Sequence, residues 1–312
     1  MSSPKIVFMG TPEFAVSSLE ILIRHNYQIA GVVTQPDRPK GRGRVPAPSP
    51  VKVLAEIHCL RVIQPERVKN QAFIDFFRDI SPDMVVVAAF GQILPSEIIE
   101  IPKMGCLNVH PSLLPKYRGA APINWTIIRG EVKTGITIML MDEGLDTGDI
   151  LSQEETVIDP EETFGKLHDR LANMGAALLL KTVEMIASGT ATRTQQDDSL
   201  ASYAPRLKKE DGLINWNKDI SQIVNLIRGL SPVPGAFTLY KGKMLKIFSA
   251  RGEVSHNAGT PGKIGSETDL GLPVAAKDGY VYLREIQAEN KKRMPVHDFL
   301  RGFQMPPGDM LN

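Results

Sequence analysis

Residues 84–91, Met84-Val85-Val86-Val87-Ala88-Ala89-Phe90-Gly91, decide the fold class. The run has no polar alternation, so a strand built from it is apolar on both faces. Such strands belong to parallel sheets covered by helices on either side. The flanking sequence repeats the theme. Lys5–Met9 reads as another apolar strand, and Gly10-Thr11-Pro12-Glu13 supplies a turn, a helix cap and a first helical turn. A helix is expected to about His25, then a strand over Ile29–Thr34, a helix from Ser49 or Pro50 to about His58, a short strand over Leu60–Ile63 and a helix over Gln71–Ile80. Buried strands separated by helices predict an α/β fold: a Rossmann-like, doubly wound, mostly parallel sheet with right-handed crossovers.

Downstream lies Gly105-Cys-Leu-Asn-Val-His-Pro-Ser-Leu-Leu-Pro-Lys-Tyr-Arg-Gly119. Gly105–His110 reads as a short strand that Pro111 ends. Alternate side chains share a face, so Asn108 and His110 point one way while Val109 packs behind them. An amide and an imidazole thus meet at a strand's carboxyl end, where open α/β sheets carry their sites. A hydrogen-bond donor beside a group that gives and takes protons suits a reaction passing through an oxyanion. The spacing alone fits a capped turn without chemistry as well. Cys106 shares the face of Asn108, but nothing cationic adjoins it, and it reads as a small buried hydrophobe.

Beyond Gly119 a helix over Ile123–Arg129, a strand over Gly135–Met141, a loop at Asp142–Asp149, a strand to about Ile158 and a helix over Thr163–Ala187 are expected. Residues 188–205, rich in Ser, Thr, Gln and Asp, read as a linker. A short helix at Ile220–Arg228 then precedes strand-like runs at Phe237–Tyr240, Met244–Ser249, Pro273–Ala276 and Tyr280–Ile286. Frequent Gly and Pro between them suggest a small, OB-like β-barrel. The expected layout is a catalytic domain over 1–187, a linker over 188–205 and a C-terminal barrel domain over 206–312.

Composition excludes several classes. Of 312 residues, 42% are hydrophobic and 23% charged, the balance of an ordinary soluble chain. No run approaches a membrane span, and the amino-terminal segment lacks the patterns of signal and transit peptides, so a cytoplasmic protein of bacterial type is expected. Two cysteines make no disulfide framework or zinc cluster. The first turn, Gly10-Thr11-Pro12-Glu13, lacks the spaced glycines of a dinucleotide fingerprint, which disfavours NAD. The formal charge of +1 hides an asymmetry: residues 1–205 carry 20 Lys/Arg against 24 Asp/Glu, and residues 206–312 carry 16 against 11. A basic C-terminal third fits a polyanionic partner or merely a solvated surface.

Two further stretches carry candidate chemistry. Asp142-Glu143-Gly144-Leu145-Asp146-Thr147-Gly148-Asp149 lacks the spacing of an EF-hand. It reads as an acidic hairpin turn, or as a loop whose Asp146 reaches His110, orients the ring and favours its charged form. The loop over 35–50 carries Arg38, Lys40, Arg42 and Arg44, with Gly and Pro expected to prevent regular structure. It is either a solvated loop or a phosphate-contacting one.

With these pieces assembled, the whole chain resembles the methionyl-tRNA formyltransferase family. Ser112-Leu113-Leu114-Pro115 followed by Tyr117-Arg118-Gly119-Ala120-Ala121-Pro122-Ile123-Asn124-Trp125 is similar to that family's extended motif. Asn108-x-His110 and Gly144-Leu145-Asp146-Thr147-Gly148-Asp149 resemble elements shared by 10-formyltetrahydrofolate-dependent transferases more widely. The basic loop and the C-terminal third are similar to the tRNA enzymes in particular. The resemblance implies formyl transfer from 10-formyltetrahydrofolate to the α-amine of methionyl initiator tRNA, with Asn108, His110 and Asp146 catalytic. It implies folate in a cleft bordered by Phe90, Gln92, Ile93 and Leu94 and by the loop 140–146 with Asp142, and folate contact along Ser112, Leu113, Leu114 and Pro115. For tRNA it implies that the loop bearing Arg38, Lys40, Arg42 and Arg44 enters the acceptor stem and that the C-terminal barrel holds the outer stem. No metal and no membrane contact are expected, and a monomer is. Rival readings are a formyltransferase acting on a nucleotide sugar or glycinamide ribonucleotide, a formyltetrahydrofolate hydrolase, and an RNA-binding module on an inactive scaffold.

Overall fold

In a computed structural model, which describes residues 3–40, 45–255, 257 and 259–312, the chain begins with β1 (Lys5–Gly10), α1 (Val16–Arg24), β2 (Gln28–Val33), β3 (Arg38–Lys40), β4 (Val45–Ala47), α2 (Pro50–Ile57) and β5 (Val62–Ile63). There follow α3 (Gln71–Ile80), β6 (Met84–Ala88), α4 (Ser96–Ile99), β7 (Cys106–His110), β8 (Arg118–Gly119), α5 (Pro122–Ile128), β9 (Lys133–Leu140), β10 (Ile150–Val157), α6 (Phe164–Ala187) and β11 (Tyr203–Ala204). Seven strands form one sheet in the order β10-β9-β7-β6-β1-β2-β5. Strands β7, β6, β1, β2 and β5 run parallel, and β9 joins β7 antiparallel.

Strand β6 is buried at every residue, as its two-faced apolar run requires. On one face Phe73, Ile74, Phe77 and Ile80 of α3 pack with Val7, Met9, Val33, Val85 and Val87. On the other, α6 comes so close that a Cβ on Gly175 would stand 2.9 Å from Cγ1 of Val109. Two helix starts expected from the sequence are closed by side-chain caps: Ser49 Oγ accepts from the Lys52 N–H at 3.1 Å, and Asn70 Oδ1 from the Ala72 N–H at 3.0 Å. The helix whose turn, cap and first turn are expected over Gly10–Glu13 opens with a single 3-10 turn over Glu13–Ala15 and becomes α-helical at Val16.

Loop 35–50 departs from the expectation of irregular backbone. β3 and β4 pair antiparallel, with Arg38 opposite Ala47, Pro39 opposite Pro46 and Lys40 opposite Val45. Facing prolines are tolerated because a non-hydrogen-bonded pair in a two-stranded ribbon needs no N–H. Hydrogen bonds from Lys52 and Gln64, at 2.7 and 2.8 Å, hold the Asp37 carboxyl below the usual carboxylate range. Arg42 and Arg44 lie outside the described residues.

The carboxy-terminal part carries α7 (Ile220–Gly229), β12 (Ala236–Tyr240), β13 (Lys243–Val254), β14 (Leu272–Ala276), β15 (Gly279–Ala288), β16 (Met294–Pro295) and α8 (Val296–Gly302). Its sheet is antiparallel, in the order β12-β13-β15-β14 with β16 on β15. Ile223 and Ile227 of α7 join Trp216, Ile247, Val274, Val281 and Leu283 in its core. Strand β13 is twice the length read from the sequence, because its outer half alternates with polar residues that hide the strand pattern. The chain divides into two compact units: Met1–Gly119 with Thr134–Thr156 and His168–Tyr203, and Ala120–Lys133 with Val157–Leu167 and Ala204–Asn312. Residues 120–133 and 157–167 therefore group with the second unit, although they precede 188–205 in sequence. Among the described residues no helix is long and apolar enough to cross a membrane.

Candidate active site

Asn108 and His110 project from the same face of β7, with Val109 buried on the other. The carboxylate of Asp146 reaches both. Asn108 Nδ2 donates to Asp146 Oδ1 at 3.3 Å, and Asp146 Oδ2 stands 3.7 Å from His110 Nδ1. The Gly119 backbone N–H donates to the same Oδ2 at 2.8 Å. His110 Nε2 lies 3.1 Å from the Tyr117 carbonyl. That carbonyl can only accept, so Nε2 carries a proton, and Nδ1 is the nitrogen that faces the carboxylate. The ring is buried, whereas the Asp146 side chain is 14% exposed and opens the group to solvent on one side.

The acidic loop is built tightly enough to aim Asp146. Its ends are tied by the Leu140 N–H donating to the Asp149 carbonyl at 2.9 Å. Any Cβ on Gly148 would run into the Leu140 carbonyl oxygen. Asp146 itself has φ of +54°, the left-handed region that residues with a Cβ rarely occupy. Asp142 accepts from the Gly144 N–H at 3.0 Å and from Thr147 Oγ1 at 2.7 and 2.9 Å, so its carboxylate shapes the loop from within.

The residues expected to border folate fall into two groups. Phe90 and Leu94 are buried in the core with Val85 and Phe73, while Ile93 is 73% exposed. The Phe90 carbonyl accepts from Thr11 Oγ1 at 3.0 Å and Gln35 Nε2 at 3.3 Å. Gln92 turns its side chain away, accepting from the Val68 N–H at 3.0 Å. What segment 90–94 offers outward is therefore the Ile93 side chain and backbone, with Ala89 and Gly91 in left-handed conformations that turn it. In segment 112–115, Ser112 Oγ donates to the Lys116 carbonyl at 2.6 Å, and Thr137 Oγ1 joins the Ser112 carbonyl to the Leu114 N–H at 2.7 and 3.1 Å. Leu114 is buried, and Leu113 and Pro115 are half-buried. Of the basic set, Arg38 is exposed, with its guanidinium 3.5 Å from Gln35 Oε1.

Burial pushes the Cys106 thiol up to about 12, so it stays protonated and is no nucleophile at neutral pH. Among the described residues no group of three or more His, Cys, Asp or Glu is placed to hold a metal ion. The residues missed from the sequence are Gly119 and Tyr117, which act through backbone groups, and Gln196, a polar residue within a polar run.

The amino-terminal formyl transferase domain model matches residues 4–183, and the formyl transferase C-terminal domain model matches 206–304. The chain is 60% identical over 311 residues to methionyl-tRNA formyltransferase of Syntrophus aciditrophicus (strain SB), covering all of both chains. It is 50% identical to the methionyl-tRNA formyltransferase of Geotalea uraniireducens (strain Rf4), covering all of this chain and 99% of that one. It is also similar in fold to HypX from Aquifex aeolicus in complex with tetrahydrofolic acid. That match has a TM-score of 0.65 at 17% identity, over 98% of this chain and 49% of that one.

Proposed function

This chain is a member of the formyl transferase family, and from that premise we propose how its own residues carry out the reaction. It transfers the formyl group of 10-formyltetrahydrofolate to the α-amino group of methionyl initiator tRNA, in keeping with the name methionyl-tRNA formyltransferase that its full-length relatives carry. The observation that carries the residue assignment is the convergence of Asn108, His110 and the Gly119 N–H on the Asp146 carboxylate. The donor supplies an activated formyl carbon, and the acceptor amine attacks it. As charge gathers on the formyl oxygen, the second N–H of the Asn108 amide and an imidazolium at His110 stabilise it. Asp146 holds that imidazolium and passes protons between attacking and leaving nitrogens.

Folate binding is assigned to the outward backbone of Phe90, Gln92, Ile93 and Leu94, to segment Ser112–Pro115 and to the loop that Asp142 shapes. The apolar surface of exposed Ile93 and the turned backbone suit a flat, hydrogen-bonding ring. Binding of the tRNA is assigned to Arg38, Lys40, Arg42 and Arg44 and to the basic residues of 206–312. Isolated bridges Tyr240–Leu311, Lys263–Met310 and Ile264–Val274 link the two outer strands of the C-terminal sheet through other chain segments. They support reading that domain as a small, OB-like barrel. The enzyme is assigned to the cytoplasm and to action as a monomer.

Labelled formyl is expected to pass from 10-formyltetrahydrofolate to charged initiator tRNA and not to nucleotide sugars, small amines or water. Transfer to a small amine at comparable efficiency would overturn the assigned acceptor. Replacing Arg42 by Ala should raise the KM for charged tRNA about tenfold, the loss expected for one or two phosphate contacts. Folate affinity, read by fluorescence titration, should not change, and equal loss of both would remove the loop from tRNA recognition.

A further inference from the structure

Segment 188–205 carries polar composition suited to a linker, yet Gln196 within it is buried. Its Nε2 donates to the Asp146 carbonyl at 2.9 Å and to the Gly148 carbonyl at 2.7 Å. Its Oε1 accepts from Arg118 Nε and Nη2 at 3.2 and 2.8 Å. Arg118 is itself buried, and its Nη2 also meets Asp198 Oδ1 at 2.7 Å. The segment is clamped beside this contact as well: Ser202 Oγ accepts from the Tyr117 N–H at 3.0 Å, and the Ser202 carbonyl from the Arg118 N–H at 2.8 Å.

We propose that Gln196, fixed by Arg118, is a positioning residue for the transfer reaction: it locks the backbone of the Asp146 loop in the conformation that brings the carboxylate to Asn108 and His110. The chemistry of the amide explains the choice of residue. Asp146 sits in a left-handed conformation whose carbonyl must be satisfied away from any ladder, and the neighbouring Gly148 carbonyl points into the same space. The two N–H donors on the one amide nitrogen take both carbonyls at once. The amide oxygen then needs a buried partner, and the planar fork of Arg118 gives it two N–H groups. A buried guanidinium is costly to desolvate unless it is neutralised, which Asp198 does from the solvent side. The sequence neighbours of Arg118 make the link direct. Tyr117 gives its carbonyl to His110 and Gly119 its N–H to Asp146, so one tripeptide touches the ring, the carboxylate and the positioning amide.

The proposal rests on the reading of Asp146 as a catalytic residue, and a double-mutant cycle separates the two. Gln196→Met keeps the volume and removes both donors. It is expected to lower kcat about tenfold to a hundredfold, the scale of a small misplacement of a catalytic group. The KM for charged tRNA should stay within about twofold, because Gln196 does not touch the basic loop, and the KM for 10-formyltetrahydrofolate should move less than kcat, because Gln196 bonds the inner carbonyls of the Asp146 loop rather than the segments 90–94 and 112–115. Introduced into Asp146→Ala, it should lower kcat by less than about twofold, since the residue it positions is gone. Gln196→Glu keeps the acceptor for Arg118 and loses the donors, so it should behave like Gln196→Met. If either variant fails to fold by circular dichroism, Arg118→Lys, which leaves Gln196 in place but loosens its fork, carries the same cycle. Normal kcat in a folded Gln196 variant, or an equal fold-loss in the wild-type and Asp146→Ala backgrounds, overturns the positioning role. Normal turnover of Asp146→Ala itself overturns the underlying reading.

Discussion

Asn108→Ala is expected to lower kcat about a hundred- to thousandfold at saturating folate and charged tRNA, the usual loss for one oxyanion donor. One N–H is spent on Asp146 at 3.3 Å, which fixes the amide's orientation and leaves the second directed by the same geometry. Alanine keeps the strand, since Asn108 is only half-buried and its register partners, Val87 and Met139, pair through backbone. The loss should therefore fall on kcat, with KM for both substrates within about threefold, because the donor acts in the transition state rather than in binding. A steady-state comparison with unchanged melting temperature is the measurement. Turnover within a factor of about three of wild type would remove Asn108 from the chemistry.

Asp146→Ala should be at least as damaging, with kcat falling roughly a thousandfold. Three groups lose a partner at once. The Gly119 N–H is orphaned, Asn108 loses the bond that aims its amide, and His110 loses the carboxylate beside Nδ1. Asp146→Asn is the sharper probe. It keeps the side-chain shape and one acceptor oxygen but turns the other atom into a donor facing donors, so it should recover little of the loss. A variant with Asn at 146 that is near wild type would mean that only hydrogen-bond acceptance, and not the charge, is used at this position. Combined with Asn108→Ala, Asp146→Ala should be strongly non-additive, because both act on one developing charge.

Much of this was legible in the chain. The two-faced apolar run at 84–88 could pack only in a sheet covered on both sides, and β6 lies between β7 and β1 with every residue buried. The shared face of Asn108 and His110 followed from the two-residue period of a strand, which holds wherever the strand is placed. The helix start at Ser49 or Pro50 was legible because capping is settled within three residues. Local chemistry was less decisive in the basic loop, where prolines argued against structure but pair across a ribbon. Phe90 and Leu94 show another limit, since an apolar side chain reads the same whether it lines a ligand cleft or, as here, the core.

Periodicity and local capping, which act between neighbours in sequence, were enough to determine the α/β class, the strand that bears the amide and imidazole, and the tight glycine-rich turn that follows β9. The fold alone decided which groups meet across long separations. Gln196 reaches the Asp146 and Gly148 carbonyls from 50 and 48 residues away, and Arg118 reaches Gln196 across 78. Such contacts leave no periodic trace, because a single polar side chain in a polar segment obeys the same local rules whether it faces water or a catalytic loop. Packing of the sheet and its connections is what turns one of those choices into the other.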